Sequence, residues 1–130
     1  MREKMLTIIY NETQGLNKIK KRLHNIGQTN YTIRNINDEP LTTKEISFIT
    51  QYYDIISLFR NNNWRQKYLY SLNHSTIKGL INIIQTHPKR VRTPILLDMP
   101  NNKVLVGMNT DDIHMFVPKE LRKLQLEAVL

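Results

Sequence analysis

The chain of 130 residues contains no cysteine. This absence excludes disulfides, metal sites with cysteine ligands, and thiol chemistry by the chain itself. Glycine is scarce, with residues only at positions 15, 27, 79 and 107, and none of them forms a glycine-rich phosphate loop. No apolar run reaches the ~18 residues that a membrane span needs, and the polar opening at residues 1–4 is unlike a signal peptide. We therefore expect a cytoplasmic protein that does not contact the membrane.

Motifs for metal binding or acid–base catalysis are also missing. The histidines at positions 24, 74, 87 and 114 are dispersed, and no HExxH motif occurs. Asp111 and Asp112 are adjacent, so they would not face each other on a helix, and we interpret them as charges at a helix start. We expect no metal and no cofactor.

Positive charge is what the chain has in excess. The formal net charge is +8, which favours acidic partners, either nucleic acid or an acidic protein surface. The basic residues form three clusters: Lys18, Lys20, Lys21 and Arg22; Lys89, Arg90 and Arg92; and Lys119, Arg122 and Lys123. Solvated helix faces and loops are the alternative interpretation. No ladder of aromatic residues lies among these charges, so single-strand stacking is not indicated.

The first third of the chain predicts strand, helix and strand. Residues 6–10 (LTIIY) are a continuous apolar run of strand length. Residues 11–15 have loop chemistry, and Leu16, Ile19, Leu23 and Ile26 then recur at helical spacing before Gly27. Residues 31–36 alternate as a second strand. Two strands joined through a helix predict parallel pairing.

Residues 42–88 predict helices. Thr42 and Glu45 fit a capping box, and Ile46, Ile49 and Tyr53 form an apolar stripe after it. Helical signals return within residues 66–72. A further helix is expected over residues 76–86, capped by Asn73 or Ser75 and stopped by Pro88. Its inward face would comprise Ile77, Leu80, Ile81 and Ile84.

Residues 93–107 (TPILLDMPNNKVLVG) predict a hairpin that follows a Thr-Pro dipeptide. Residues 95–97 and 104–106 are apolar, and Pro100, Asn101 and Asn102 turn the chain between them. A short helix with Ile113 and Phe116 inward is expected next, and a last helix over residues 119–126. The order β-α-β, helices, β-β-α is typical of thioredoxin-like domains, in which the proline of such a dipeptide is usually cis. We therefore predict an α/β fold in one domain, residues 1–130. It has a mixed four-stranded sheet, a helical insertion over about residues 42–88, and a cis bond between Thr93 and Pro94.

Several segments resemble the Spx and arsenate reductase family. RNINDEPLTTKEI (residues 34–46) is similar to the family's RNI-x-x-EPL-x-x-x-EI segment. The similarity resumes at DIISL (residues 54–58), at the THP of residues 86–88, in TPILLD (residues 93–98) and through VGMNTDDIHMFVPKELRKLQL (residues 106–126). The C-terminal block is specific because about fifteen ordered positions agree with the Spx pattern in type and spacing. The chain is identified as a member of this family, without its thiols.

The resemblance places a degenerate redox site at Gln14, Asn17, Arg92, Thr93 and Pro94. Spx-like proteins have a CxxC switch where this chain has Gln14-Gly15-Leu16-Asn17. Relatives usually have an arginine directly before the cis-proline, where this chain has Thr93, with Arg92 one position earlier. Gln14, Asn17 and Thr93 could still bind a polar ligand, but the favoured interpretation is a pocket that has lost the family's chemistry and binds no ligand. We predict that the chain is not an enzyme, because the nucleophile of an arsenate reductase is absent.

The resemblance also implies a protein partner. Spx-like regulators bind the C-terminal domain of the RNA polymerase α subunit, aided by an acidic, glycine-containing loop that this chain lacks after Tyr53. One hypothesis is therefore a redox-inactive transcription regulator that contacts DNA only within a polymerase complex. The alternative is a decoy that occupies the Clp adaptor or protease and so stabilises genuine Spx. The altered loop, and a tail without the expected degradation tag, favour the decoy.

We predict that partner binding involves Gln51, Tyr52, Tyr53, Arg60 and Trp64, together with the basic clusters. Neighbouring tyrosines on a helix lie about 100° apart, so at least one of Tyr52 and Tyr53 should be exposed. Trp64 is expected either in the core or as an interface anchor. Arg60 could pair bidentately with a carboxylate on the partner.

Overall fold

A computed structural model describes residues 6–60, 70–72, 74–107 and 112–116 of the chain. These residues form a four-stranded sheet in the order β2-β1-β3-β4. The strands are β1 (Leu6–Tyr10), β2 (Tyr31–Asn35), β3 (Ile95–Asp98) and β4 (Lys103–Val106). β1 runs parallel to β2 and antiparallel to β3, and β3 and β4 form the hairpin. The mixed sheet predicted from the sequence is confirmed, with strand ends that differ by one residue.

Helices pack on both faces of this sheet. The α-helices are α1 (Thr13–Asn25), α2 (Thr43–Ile49) and α3 (Ile77–Thr86), and short 3₁₀ helices occupy Ile55–Leu58, Pro88–Arg90 and Asp112–Phe116. Ile8 of β1 belongs to a core cluster that includes Leu16, Ile19 and Leu23 of α1. The next residue, Ile9, belongs to a second cluster with residues of α2 and α3. Alternation of side chains along a central strand therefore separates the core into two layers.

Local signals fix several helix ends as predicted. Thr42 and Glu45 form a complete capping box at α2, with Thr42 Oγ1 accepting from Glu45 N at 3.1 Å and Glu45 Oε1 accepting from Thr42 N at 2.9 Å. Gly27 follows α1 with φ of 81°, a left-handed conformation that suits glycine. Ile113 and Phe116 are buried on the 3₁₀ helix, as expected. No helix among the described residues has the length and apolarity to traverse a bilayer.

Three predictions about helices are wrong. The expected loop over residues 11–15 is too long, because α1 begins at Thr13; the first turn of a helix makes few internal bonds and tolerates polar residues and glycine. The cap of α3 is Thr76, whose Oγ1 accepts from Gly79 N at 3.0 Å, and not Asn73 or Ser75. Ile77 is 62% exposed although it lies on the same side of α3 as buried Ile84. Helical periodicity indicates on which side of α3 a side chain lies, but not whether other parts of the protein pack against that side at a given position.

Some predictions lie outside the described residues. These are most of the helical signal over residues 66–72, the last helix over residues 119–126, the placement of Trp64, and the cluster Lys119, Arg122 and Lys123.

Candidate functional site

The Thr93–Pro94 bond is cis, as predicted, and lies just before β3. Beside it, the chain leaves β1 and enters α1. An open pocket of about 440 Å³ lies between these two features. Its lining residues are Tyr10, Asn11, Glu12, Gly15, Leu16, Arg60, Arg92, Thr93 and Pro94. The pocket therefore occupies the place that the sequence assigned to a degenerate redox site.

Backbone pairing places Arg60 and Arg92 at the same pocket. Phe59 and Val91 form an isolated antiparallel bridge. On one side of it Arg92 N donates to Leu58 O at 2.6 Å, and on the other Arg60 N donates to Arg90 O at 2.9 Å. Arg60 Nε also donates to Val91 O at 3.3 Å. Two arginines that are distant in sequence are thus held together by backbone pairing rather than by any local motif.

Arg92 lies close against the backbone of Gly107. A Cβ atom added at Gly107 would lie 2.6 Å from Arg92 Nε and 2.8 Å from its Cζ, closer than real Cβ contacts allow. Gly107 has φ of 81° and donates its N–H to Pro94 O at 2.8 Å. Glycine at this position therefore serves two purposes, since it adopts a left-handed conformation and leaves room for the guanidinium.

The pocket has the electrostatics of an anion site but no reactive group. Arg60 and Arg92 carry guanidinium groups, Thr93 carries a hydroxyl, and Glu12 is the one acidic residue among the described residues of the lining. Glu12 is also the N-cap of α1, and its side chain makes no capping hydrogen bond. Such an arrangement can hold an anion or a partner's carboxylate. It offers no thiolate, and within the described residues no group of three or more His, Asp or Glu could hold a metal.

The structure brings together only part of the predicted redox site. Arg92, Thr93 and Pro94 line the pocket. Asn17 is exposed on α1 and does not line it, and the side chain of Gln14 lies outside the described part of the chain. Sequence reasoning missed Tyr10, Asn11 and Glu12. These residues could have been identified from their position at the carboxyl end of β1, because ligands of α/β sheets commonly bind at the carboxyl ends of strands.

The two tyrosines predicted to bind a partner face different ways. Tyr52 is 52% exposed, with its ring 5.5 Å from that of Phe48. Tyr53 is half-buried against the core, and its hydroxyl accepts from Val106 N at 3.3 Å. At least one of them is exposed, as expected, but the helical premise is wrong, because α2 ends at Ile49 and residues 51–53 lie in the turn that follows it. Gln51 is exposed beside Tyr52, whereas Arg60 lines the pocket.

An ion pair anchors α2, the helix that leads into residues 51–53. The two terminal nitrogens of Arg34 donate to the two carboxylate oxygens of Glu45, each at 2.7 Å. Arg34 donates further to Glu39 O and Pro40 O. Burial alone would raise the pKa of Glu45, but the hydrogen bonds from Arg34 and Thr42 outweigh it, so the pKa lies below its usual value. The hydrogen bonds that Arg34 donates to Glu45 raise the pKa of Arg34.

Comparison of the sequence with those of known proteins identifies relatives. No protein-family model matches the chain. The global transcriptional regulator Spx of Staphylococcus aureus is 37% identical over 101 residues, which are 75% of this chain and 75% of that protein. Spx 1 of Oceanobacillus iheyensis is 36% identical over 108 residues, covering 79% of this chain and 77% of the relative.

Solved structures are similar at the level of fold. A putative ArsC family related protein from Bacteroides fragilis has a TM-score of 0.69 at 21% identity, covering 85% of this chain and 97% of that one. A possible arsenate reductase from Streptococcus mutans has a TM-score of 0.64 at 14% identity, covering 82% and 93%. The fold is therefore the thioredoxin-like α/β fold of ArsC-like proteins.

Proposed function

The chain belongs to the Spx family of ArsC-like proteins, and on that premise we propose that it is a redox-independent transcription regulator that binds RNA polymerase. Its identity of 36–37% with two Spx regulators, over at least three quarters of each, supports this proposal most directly. The proposed contact is with the C-terminal domain of the polymerase α subunit, inside the cytoplasm.

The composition of the pocket supports the proposed redox independence. The cis-proline and two arginines remain at the site, but the chain contains no cysteine that could be oxidised. Regulation through a thiol–disulfide switch needs a thiolate. We infer that the amount of this protein, and not its oxidation state, sets its output, and that it does not reduce arsenate.

The proposed docking surface is centred on Tyr52. This side chain and Gln51 are exposed in the turn that follows α2, and α2 is held by the Arg34–Glu45 pair. A tyrosine offers a rigid, amphipathic contact area, and such residues are enriched at interfaces. The anchored helix supports the proposal because a preorganised segment loses less conformational entropy on binding.

A decoy of Spx is the second candidate. The segment after Tyr53 continues directly into Asp54 and the 3₁₀ helix Ile55–Leu58, without the acidic, glycine-containing loop that the family uses for docking. A chain with an Spx-like surface but an altered polymerase contact would compete with Spx for the Clp adaptor. Genuine Spx would then accumulate.

Both candidates are tested by measuring the affinity of the purified protein for the Clp adaptor and for the C-terminal domain of the polymerase α subunit. Tyr52→Ala and Arg60→Ala should each weaken binding of the true partner by about 1–2 kcal/mol if they are central contacts. Tyr70→Ala is the matched control, because Tyr70 is also exposed, at 75%, and lies in a different segment.

The pattern of results separates the candidates. Binding to the polymerase domain that is lost in Tyr52→Ala and kept in Tyr70→Ala supports the regulator. The same pattern with the adaptor supports the decoy. If the wild-type protein binds neither, both candidates fail. Treatment with diamide should leave the binding unchanged, and coupled arsenate turnover by the purified protein would contradict the non-enzymatic assignment.

A further inference from the structure

Helix α1 presents an exposed polar face that carries cations. Its buried side consists of Leu16, Ile19 and Leu23. No acidic residue occurs anywhere within Thr13–Asn25. The five exposed residues on the side opposite the buried one form what we call the α1 face: Asn17, Lys18, Lys21, His24 and Asn25.

The positive charge of this helix is not neutralised locally. Within the described residues no lysine or arginine of α1 forms an ion pair, and the Arg34–Glu45 pair lies elsewhere. Lys20 and Arg22 are half-buried at the borders of the α1 face, and Arg22 Nη1 is buried without a hydrogen-bond partner. Lys18 lies three residues before Lys21 and four before Arg22, spacings at which like charges destabilise a helix. Arg22 lies in the last turn, where a cation suits the helix end, but the repulsion that Lys18 makes with Lys21 and Arg22 does not stabilise α1.

The chemistry of the α1 face discriminates among anionic partners. The exposed large apolar side chains of the described residues are Ile33, Tyr52, Tyr70 and Ile77, and none of them belongs to α1. A membrane-binding helix needs an apolar face to insert, and a protein interface needs an apolar or aromatic centre. Lysine, amide and imidazole side chains, without a large apolar centre, match instead the donors that contact phosphate and sugar groups of nucleic acids.

We propose that the α1 face binds the phosphodiester backbone of a double-stranded nucleic acid, without reading its sequence. The rise from Lys18 to Asn25 is about 10 Å along the helix axis, enough to contact two successive phosphates of one strand. The net charge of +8 adds long-range attraction. This activity goes beyond the proposed polymerase contact, which involves residues in the turn after α2.

The test uses fluorescence anisotropy with a labelled 20-base-pair DNA duplex and an RNA duplex of the same sequence, at several salt concentrations. The variant is Lys18→Gln/Lys21→Gln. The matched control is Lys44→Gln/Lys78→Gln, which removes two exposed lysines from α2 and α3 on the other face of the sheet. Both variants lower the formal charge by two, from +8 to +6, so total charge is equal in the comparison.

The α1 variant should weaken duplex binding about tenfold and reduce the slope of log affinity against log salt by about 1.8, since each lost phosphate contact contributes about 0.9. The control should change affinity by less than about twofold, and circular dichroism should show that both variants are folded. Equal affinity for the DNA and the RNA duplex supports recognition of the phosphodiester backbone. A higher affinity for one duplex also supports it and shows which nucleic acid the α1 face binds. The proposal is overturned if neither duplex binds at low salt, or if both variants weaken binding equally. It is also overturned if anionic vesicles bind with the same dependence on Lys18 and Lys21 while the duplexes do not.

Discussion

The pair Arg34–Glu45 should contribute measurable stability, and a double-mutant cycle can isolate its contribution. Glu45→Gln removes the charge but keeps an oxygen that can still accept from Thr42 N in the capping box. Arg34→Met removes the guanidinium while keeping an unbranched side chain of similar reach. The double variant completes the cycle, which cancels effects that each substitution has outside the pair.

The magnitude follows from the geometry and burial of the pair. Fully exposed ion pairs contribute about 0.2–1 kcal/mol, and breaking a buried pair costs about 3–5 kcal/mol. The side chains of Arg34 and Glu45 are 16% and 13% exposed and form two bonds of 2.7 Å. We therefore expect a coupling energy of about 2 kcal/mol. For a domain of this size Glu45→Gln should lower Tm by roughly 6–10 °C.

The pH dependence has a definite sign. Because the pKa of Glu45 is lowered from 4.5 on folding, its contribution is fully present above about pH 4.5 and is lost as the pH falls through the folded-state pKa. The difference in unfolding free energy between wild type and Glu45→Gln should therefore shrink below pH 4.5. The pKa of Arg34 is raised by its hydrogen bond to Glu45, so its titration lies above the range of the experiment.

Urea denaturation at pH 7 and at a series of values down to pH 3 measures all four proteins. A coupling energy below about 0.5 kcal/mol would place the pair with ordinary surface pairs and refute the argument from burial. A difference that stays constant down to pH 3 would refute the assigned cause of the pH dependence.

Two further predictions concern the pocket. Gly107→Ala should displace the guanidinium of Arg92, since the new Cβ would lie 2.6 Å from its Nε, and should destabilise the protein by about 1–3 kcal/mol through strain at positive φ; denaturant unfolding measures this, and an unchanged midpoint would show that the backbone can relax. Gln14→Cys/Asn17→Cys should introduce thiols in the first two turns of α1, and the thiol at position 14 should titrate below the usual value of ~8.5 because a helix start favours a thiolate. Titration with a thiol reagent across pH checks this, and an ordinary pKa would mean that the helix start does not act on that position.

The sequence alone determined the strands, the main helices and the family. The apolar runs at residues 6–10 and 95–97 have no polar alternation because β1 and β3 are buried on both faces, and such runs are visible without a structure. The capping box of Thr42 and Glu45 is likewise a local pattern whose geometry follows from its spacing. The absence of thiols is evident from the composition, because the chain contains no cysteine.

The tertiary structure decided what depends on segments distant in sequence. Arg60 and Arg92 share a pocket because Phe59 pairs with Val91, a contact that no local pattern encodes. Ile77 is exposed because the core ends before it, although its periodicity matches that of Ile84. Tyr53 faces inward, where Val106 N donates to its hydroxyl, whereas its neighbour Tyr52 is exposed. Local sequence sets the conformation and direction of a side chain, but only the assembled layers determine what lies opposite it.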